Sequence, residues 1–111
     1  AISNHLTFLT DACDDTLSRA MDGILDYAKE QISLGIWQQH QIDALKKNLQ
    51  TISIDNSTQL PVGLIIESVS EQSSIKRKVL RKYSESYAPD TIIASNSSYF
   101  LPSQLSKYVH H

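Results

Sequence analysis

Acidic, basic and hydroxyl side chains gather at two places where this sequence turns from apolar to polar. The first is the end of Val62–Val69, where Glu67, Ser68, Ser70 and Glu71 follow an apolar run and Lys76 lies five residues past Glu71. The second is the end of Thr91-Ile92-Ile93-Ala94-Ser95, which opens into Asn96-Ser97-Ser98. A carboxylate five residues before a lysine can form a local ion pair at a helix start. Serines in such a run serve as turn or capping hydroxyls, or as donors to a ligand. A Ser-His-acid hydrolase built on Ser97 or Ser98 would need a Gly-x-Ser-x-Gly elbow, and the sequence has none.

The elements that would hold these groups follow from the pattern. Runs that are apolar at every position suit strands buried on both faces of a parallel sheet. Between them Ile75, Val79, Leu80, Tyr83 and Tyr87 recur near helical spacing, which predicts a helix over Ser74–Tyr87. Pro89 stops it, and Ala88 before it is driven out of the helical region. Strand, helix, strand is a βαβ unit, and ligands of such sheets sit at the C-terminal ends of the strands. Both polar clusters fall there.

The first half repeats the theme. Leu6-Thr7-Phe8-Leu9-Thr10 alternates large and small side chains and reads as a strand ended by Asp11. A carboxylate at the tip of a second strand is where dinucleotide folds hold ribose hydroxyls, and the plainer reading is a loop or capping residue. Asp14 and Asp15 precede a long helical pattern through Leu17, Met21, Ile24, Leu25, Ala28 and Ile32; either can cap the first turn, and Gly35 is a stop. A second helix over Trp37–Gln50 places Ile42, Leu45 and Leu49 on one face, with Lys46 and Lys47 on a solvated one. Thr51–Ile54 is a short strand candidate, Asp55–Gln59 a polar turn, and Pro102–Tyr108 the opening turns of a helix.

Composition excludes several functions. Net charge is −2 and pI ≈ 6.0, which leaves no nucleic-acid footprint. No run approaches the ~18 apolar residues of a membrane helix. Asp11, Asp14 and Asp15 lack the glycine and distal Glu of a calcium loop, and His5 and His40 have no metal spacing. The lone Cys13 precludes an internal disulfide, fits a reducing, cytoplasmic setting and reads as packed or inert, without a basic neighbour.

Ile65-Ile66-Glu67-Ser68-Val69-Ser70-Glu71, then Lys76, then Ala94-Ser95-Asn96-Ser97-Ser98 resembles the NAD-binding domain of the 3-hydroxyacyl-CoA dehydrogenase family. That family reads Val-Ile-Glu-Ala-x-x-Glu, four residues, Lys, and later Ala-Ser-Asn-Thr-Ser-Ser. Phe100-Leu101-Pro102-Ser103 also looks like its gulonate and carnitine dehydrogenase branch. The resemblance implies an α/β, partial Rossmann-like domain whose parallel sheet carries an inserted helical pair. It implies NAD as cofactor, a small-molecule hydroxyacyl substrate, and a homodimer. By it, Asp11 matches the adenosine ribose acid. Glu71 and Lys76 match residues near the nicotinamide ribose. Ser98 matches the serine that hydrogen-bonds the substrate oxygen beside the nicotinamide. The family's CoA-contacting Ser and Lys fall at Tyr27 and Leu34, a departure that favours a free hydroxy acid as substrate.

The same resemblance leads us to expect residues 1–111 to be the middle part of such a domain. The first strand, its Gly-x-Gly-x-x-Gly turn and the catalytic His motif have no counterpart among them, and Ala1–Asn4 resembles the tail of a preceding helix. Its competitor from another class is a degenerate, non-catalytic module that dimerises through open strand edges. In the strand order 3-2-1-4-5-6 the first strand separates the strands read here at Leu6 and Leu64. Expressed alone, residues 1–111 are therefore expected to form oligomers and to bind NAD immeasurably weakly. Light scattering is the check: a monodisperse monomer with cooperative unfolding would mean that the strands are misplaced or pair directly.

Overall fold

The computed structural model describes Ile2–Val109; the terminal pair His110-His111 and Ala1 lie outside the described residues. The chain divides into two compact units, Ala1–Ser57 and Thr58–His111.

The first unit begins with β1 (Thr7–Leu9) and continues through helix α1 (Asp14–Ser33), helix α2 (Gln39–Asn48), β2 (Leu49–Thr51) and a single helical turn, α3 (Ile54–Ser57). β1 and β2 pair in parallel, Thr7 opposite Leu49 and Leu9 opposite Thr51. Parallel strands need a long crossover, and the α1–α2 pair supplies it. Asp14 and Asp15 are the first helical residues and complement the dipole; the N-cap is Cys13, without a side-chain cap, so neither aspartate caps. α1 ends in a Schellman arrangement. Gly35 N–H donates to Ile32 O at 2.9 Å and Ile36 N–H to Gln31 O at 2.9 Å. Gly35 holds φ 72°, which a side chain would strain. α2 starts with the Gln38 N–H donating to Gln41 Oε1 at 2.8 Å.

The core of this unit is Ala28, Ile42, Leu45 and Leu49, flanked by Leu9, Met21, Ile24, Leu25, Ile32 and Trp37. Ala28 is fully buried, in one cluster with Ile42 and Leu45 of α2. Leu49 corrects the sequence reading. It shares the Ile42–Leu45 face but adopts extended backbone and opens β2, so the strand is Leu49–Thr51 rather than Thr51–Ile54. Ile54 and the residues after it, read as strand end and turn, form α3. Helical spacing and a two-residue strand step coincide over so short a span, and burial against β1 decides.

The second unit is β3 (Leu64–Glu67), helix α4 (Ser73–Ser86), β4 (Ile92–Ser95), α5 (Pro102–Leu105) and a 3₁₀ turn over Ser106–Tyr108. β3 and β4 pair in parallel with Leu64 opposite Ile92 and Glu67 opposite Ser95. α4 stops at Ser86, ahead of Pro89, as the sequence predicts. Leu80, Tyr83 and Leu105 are buried. The Arg77 guanidinium lies 5.1 Å from the Tyr108 ring centroid, fastening the C-terminal turn to α4. Within this chain the two faces of the sheet differ. Leu64, Ile66 and Ile92 are exposed at 54%, 64% and 64%. These residues alternate with Ile65, Glu67 and Ile93, which take the face shared with α4, so one helix layer covers one face only.

Leu45→Ala should destabilise the first unit by about 2–5 kcal/mol, because it removes a core side chain between two helices and a strand. Lys46→Ala beside it on the exposed face should change stability by under about 0.5 kcal/mol. Urea unfolding distinguishes them; equal costs would contradict this core.

Candidate functional site

The pleat of β3 puts Glu67 on the helix side of its sheet, and α4 brings Lys76 over it from its second turn. The Lys76 ammonium donates to Glu67 Oε1 at 2.9 Å and Oε2 at 3.2 Å. Their side chains are 0% and 1% exposed. An ion pair this deep is expensive to bury and persists only where every remaining donor and acceptor is filled. They are filled. Val69 N–H donates to Glu67 Oε1 at 2.7 Å, and the Ser95 hydroxyl to Oε2 at 2.5 Å. With the two bonds from Lys76, all four acceptor positions of the carboxylate are occupied. Lys76 also donates to Val69 O at 3.2 Å and reaches Glu71 Oε1 at 3.3 Å.

Glu71 carries this network outward. Its side chain is 41% exposed. Its Oε2 accepts from the Ser97 hydroxyl at 2.7 Å, and Ser97 Oγ accepts from Phe100 N–H at 3.1 Å. The ends of β3 and β4 are thus tied twice, by Ser95 to Glu67 and by Ser97 to Glu71. The Asn96 N–H adds a backbone bond to Glu67 O at 2.7 Å. Ser98, next in line, is exposed. A shallow groove lined by Leu80, Ile93, Ser95, Ser97, Phe100 and Leu105 adjoins the cluster.

Burial pushes the Glu67 carboxyl upward. The Ser95 hydroxyl, the Lys76 ammonium and the Val69 N–H outweigh that push and hold it below the usual carboxylate range. Burial likewise pushes Lys76 downward, and the bonds and charges of Glu67 and then Glu71 hold it above its ordinary value.

In the first unit Asp11 is exposed two residues past the tip of the β1 ladder, and its Oδ1 accepts from Cys13 N–H at 2.9 Å. That is the local turn bond of a loop carboxylate, and it leaves further acceptor positions on the group. Cys13 is exposed rather than packed, and its thiol lies below its usual value because of a hydrogen bond with the Thr16 side chain, then the Thr16 and Asp15 backbone. The helix start replaces the basic neighbour that the sequence lacks. Tyr27 and Leu34 are exposed at 55% and 62%, and Tyr27 meets Trp37 edge to face at 6.0 Å. A second shallow cleft is lined by Asp14, Leu17, Ser18, Met21, Thr51, Ile52 and Ser53. Among the described residues, no group of three or more His, Cys, Asp or Glu side chains is placed to hold a metal ion. None of the described helices is long and apolar enough to cross a membrane.

The structure therefore brings Glu71, Lys76 and the Ser95–Ser98 segment together within the second unit. Sequence reasoning ranked Glu71 and Lys76 as the ion pair and passed over Glu67, the inner partner. Two signals pointed to it. It is the one charged residue of an otherwise apolar strand, and it stands two residues after Ile65 on the helix-facing side.

The family model described as 3-hydroxyacyl-CoA dehydrogenase, NAD binding domain, matches residues 1–111. Among solved structures, a 3-hydroxybutyryl-CoA dehydrogenase from Escherichia coli superposes with a TM-score of 0.85 at 24% identity, over 98% of this chain and 23% of that one. An (S)-3-hydroxybutyryl-CoA dehydrogenase from Ralstonia eutropha gives 0.82 at 16% identity, over 93% of this chain and 36% of its own. A diketoreductase gives 0.77 at 26%, over 95% and 38%. No match is found among curated proteins. These likenesses establish an α/β, partial Rossmann-like fold, and the chain spans well under half the length of each of the three.

The buried pair makes the second unit sensitive to pH at both extremes. A lowered Glu67 pKa contributes stability that is present above its unfolded value and lost as pH falls through the folded one; a raised Lys76 pKa contributes stability lost as pH rises through its folded value. Stability should be flat between the ordinary carboxylate and ammonium ranges and fall outside both. Lys76→Met should remove this acid limb's Lys76-dependent part and cost about 3–5 kcal/mol at neutral pH by stranding Glu67. Thermal melts across pH check this; an unchanged melting temperature in Lys76→Met would contradict the pairing.

Proposed function

The chain belongs to the NAD-binding domain family of the 3-hydroxyacyl-CoA dehydrogenases, with NAD as its cofactor, and from that premise we propose that the protein carrying it oxidises the secondary hydroxyl of a 3-hydroxyacyl-CoA to the 3-keto product. The observation that carries this reading is the half-exposed Glu71 carboxylate, held by Lys76 and Ser97 at the joined ends of β3 and β4 with Ser98 beside it. The ends of parallel strands are where such sheets take their ligands.

The residues present suit the cofactor. Asp11, whose turn bond uses one oxygen, accepts the adenosine ribose hydroxyls. In the second unit Glu71 accepts from the nicotinamide ribose, with Lys76 behind it. The bound nicotinamide supplies the two-electron acceptor that the chemistry needs. Ser98 is the residue we assign to the substrate oxygen: its exposed hydroxyl donates a hydrogen bond and stabilises negative charge as that charge develops.

A second reading, a dehydrogenase of a free hydroxy acid of the gulonate or carnitine type, is favoured by Tyr27 and Leu34. Their exposed apolar surfaces stand where the family resemblance implies a polar, CoA-contacting pair. A panel of 3-hydroxyacyl-CoA thioesters and free hydroxy acids, run on the full-length protein, separates the two.

In that protein Asp11→Ala should weaken NAD by roughly 2–4 kcal/mol, the value of two hydrogen bonds to a charged acceptor, while leaving substrate affinity nearly unchanged. The Asp11 carboxylate should also repel the 2′-phosphate of NADP, and a preference for NADP would contradict its role. Ser98→Ala should lower kcat by about 100-fold. Unchanged kcat with a raised KM would reduce Ser98 to positioning.

A further inference from the structure

Tyr99 and Phe100 follow Ser98 on the short link between the end of β4 and the start of α5. Phe100 is the inner of the two. It is half-buried and lines the shallow groove with Leu80, Ile93 and Leu105. Its N–H donates to Ser97 Oγ at 3.1 Å, and Ser97 is tied in turn to Glu71 at 2.7 Å. The next donor, Leu101 N–H, is taken by Gln104 Oε1 at 3.0 Å. Two successive backbone groups of the link are therefore fixed.

Tyr99 stands outward. Its ring meets that of Phe100 edge to face, with centroids 5.2 Å apart and planes at 84°. At 78% it is the most exposed large hydrophobic side chain among the described residues. Single exposed apolar residues are ordinary on a protein surface. Two features set this one apart. Its ring is braced by an anchored neighbour, so a ligand that covers it gives up little to order it. Its place also differs from that of Leu64, Ile66 and Ile92. Those lie on a sheet face, which packing layers cover; Tyr99 lies past the strand ends, where parallel sheets take their ligands.

The composition of the link says which part of a ligand it suits. From Thr91 to Ser106 there is no charged residue, and Tyr99 is followed by Phe100, Leu101 and Pro102. Nothing in that stretch could neutralise a carboxylate or a phosphate. An aromatic face in apolar company takes an uncharged, apolar group.

We propose, resting on the reading of Ser98 as the group that meets the substrate oxygen, that Tyr99 is a specificity-determining residue: braced by Phe100, its ring receives the apolar substituent on the hydroxyl-bearing carbon. The substrate class is a hydroxy compound with an alkyl chain of several carbons at that position. A methyl group there has little area to give the ring, whereas a pentyl chain can cover one of its faces.

The test is steady-state kcat/KM of the full-length protein that carries this chain, with NAD, for 3-hydroxybutyryl-CoA and 3-hydroxyoctanoyl-CoA, and for the matching free acids, 3-hydroxybutyrate and 3-hydroxyoctanoate. The octanoyl-to-butyryl ratio is read within each variant, on whichever pair is turned over, so the fraction of folded enzyme cancels. A fully buried methylene is worth about fourfold; covered on one face it is worth about twofold, and the added chain about tenfold. Tyr99→Ala should therefore lower the ratio by about tenfold. Tyr99→Phe keeps the ring and should hold the ratio within about twofold of the parent. An unchanged ratio in Tyr99→Ala, or an equal fall in Tyr99→Phe, would overturn the proposal. Ser98→Ala is the control for the underlying reading and should lower both members of a pair alike. If it leaves both rates unchanged, or if neither pair is turned over, the underlying reading fails and the role of Tyr99 fails with it. If Ser98→Ala lowers both while Tyr99→Ala leaves the ratio alone, only the role of Tyr99 fails.

Discussion

A lysine and a glutamate with essentially no exposure, 2.9 Å apart between a strand and a helix, constrain the C-terminal ends of both strands of the second unit. Burying that pair is tolerable only because the fold fills every remaining bond. Filling them is what fixes the architecture: Val69 N–H comes from the loop after β3, Ser95 from the end of β4, and Lys76 from α4. Three separate pieces of chain are thereby held to one carboxylate. The loops that carry Glu71, Ser97 and Ser98 grow from these anchored ends, so their side chains start from a fixed base.

The buried pair also explains how an acidic group can stand outward at this place. A lone carboxylate beside a buried strand end would be pulled into the nearest positive charge. Here the nearest positive charge is already taken, and Glu71 is left with a long contact to it and a short one to Ser97. Charge satisfaction inside and acceptor capacity outside are two ends of a single network, and the pKa directions of Glu67 and Lys76 both follow from the inner end.

Much of this was legible in the sequence, and the failures have physical causes. The βαβ arrangement of the second unit could be read from two apolar runs separated by a helical period and a proline, and the structure places it within a residue or two of those bounds. Gly35 was legible as a stop because a left-handed residue after a long helix favours glycine, and it takes φ 72°. Leu49 was misread because a short strand directly after a helix leaves too few residues for the two periods to separate. Glu67 was undervalued because a sequence shows a charge and its neighbours along the chain. Its partners stand nine and 28 residues away, and only the fold brings them together.

The central claim is that Glu71, backed by Glu67 and Lys76, is the group of the second unit that meets the nicotinamide ribose of NAD. The most direct test is a crystal structure of the full-length protein with NAD bound. The account predicts a Glu71 carboxylate oxygen within about 3.2 Å of a ribose hydroxyl, with Lys76 still seated on Glu67. A Lys76 ammonium that has left Glu67 to contact the cofactor, or a ribose lying away from the ends of β3 and β4, would contradict it.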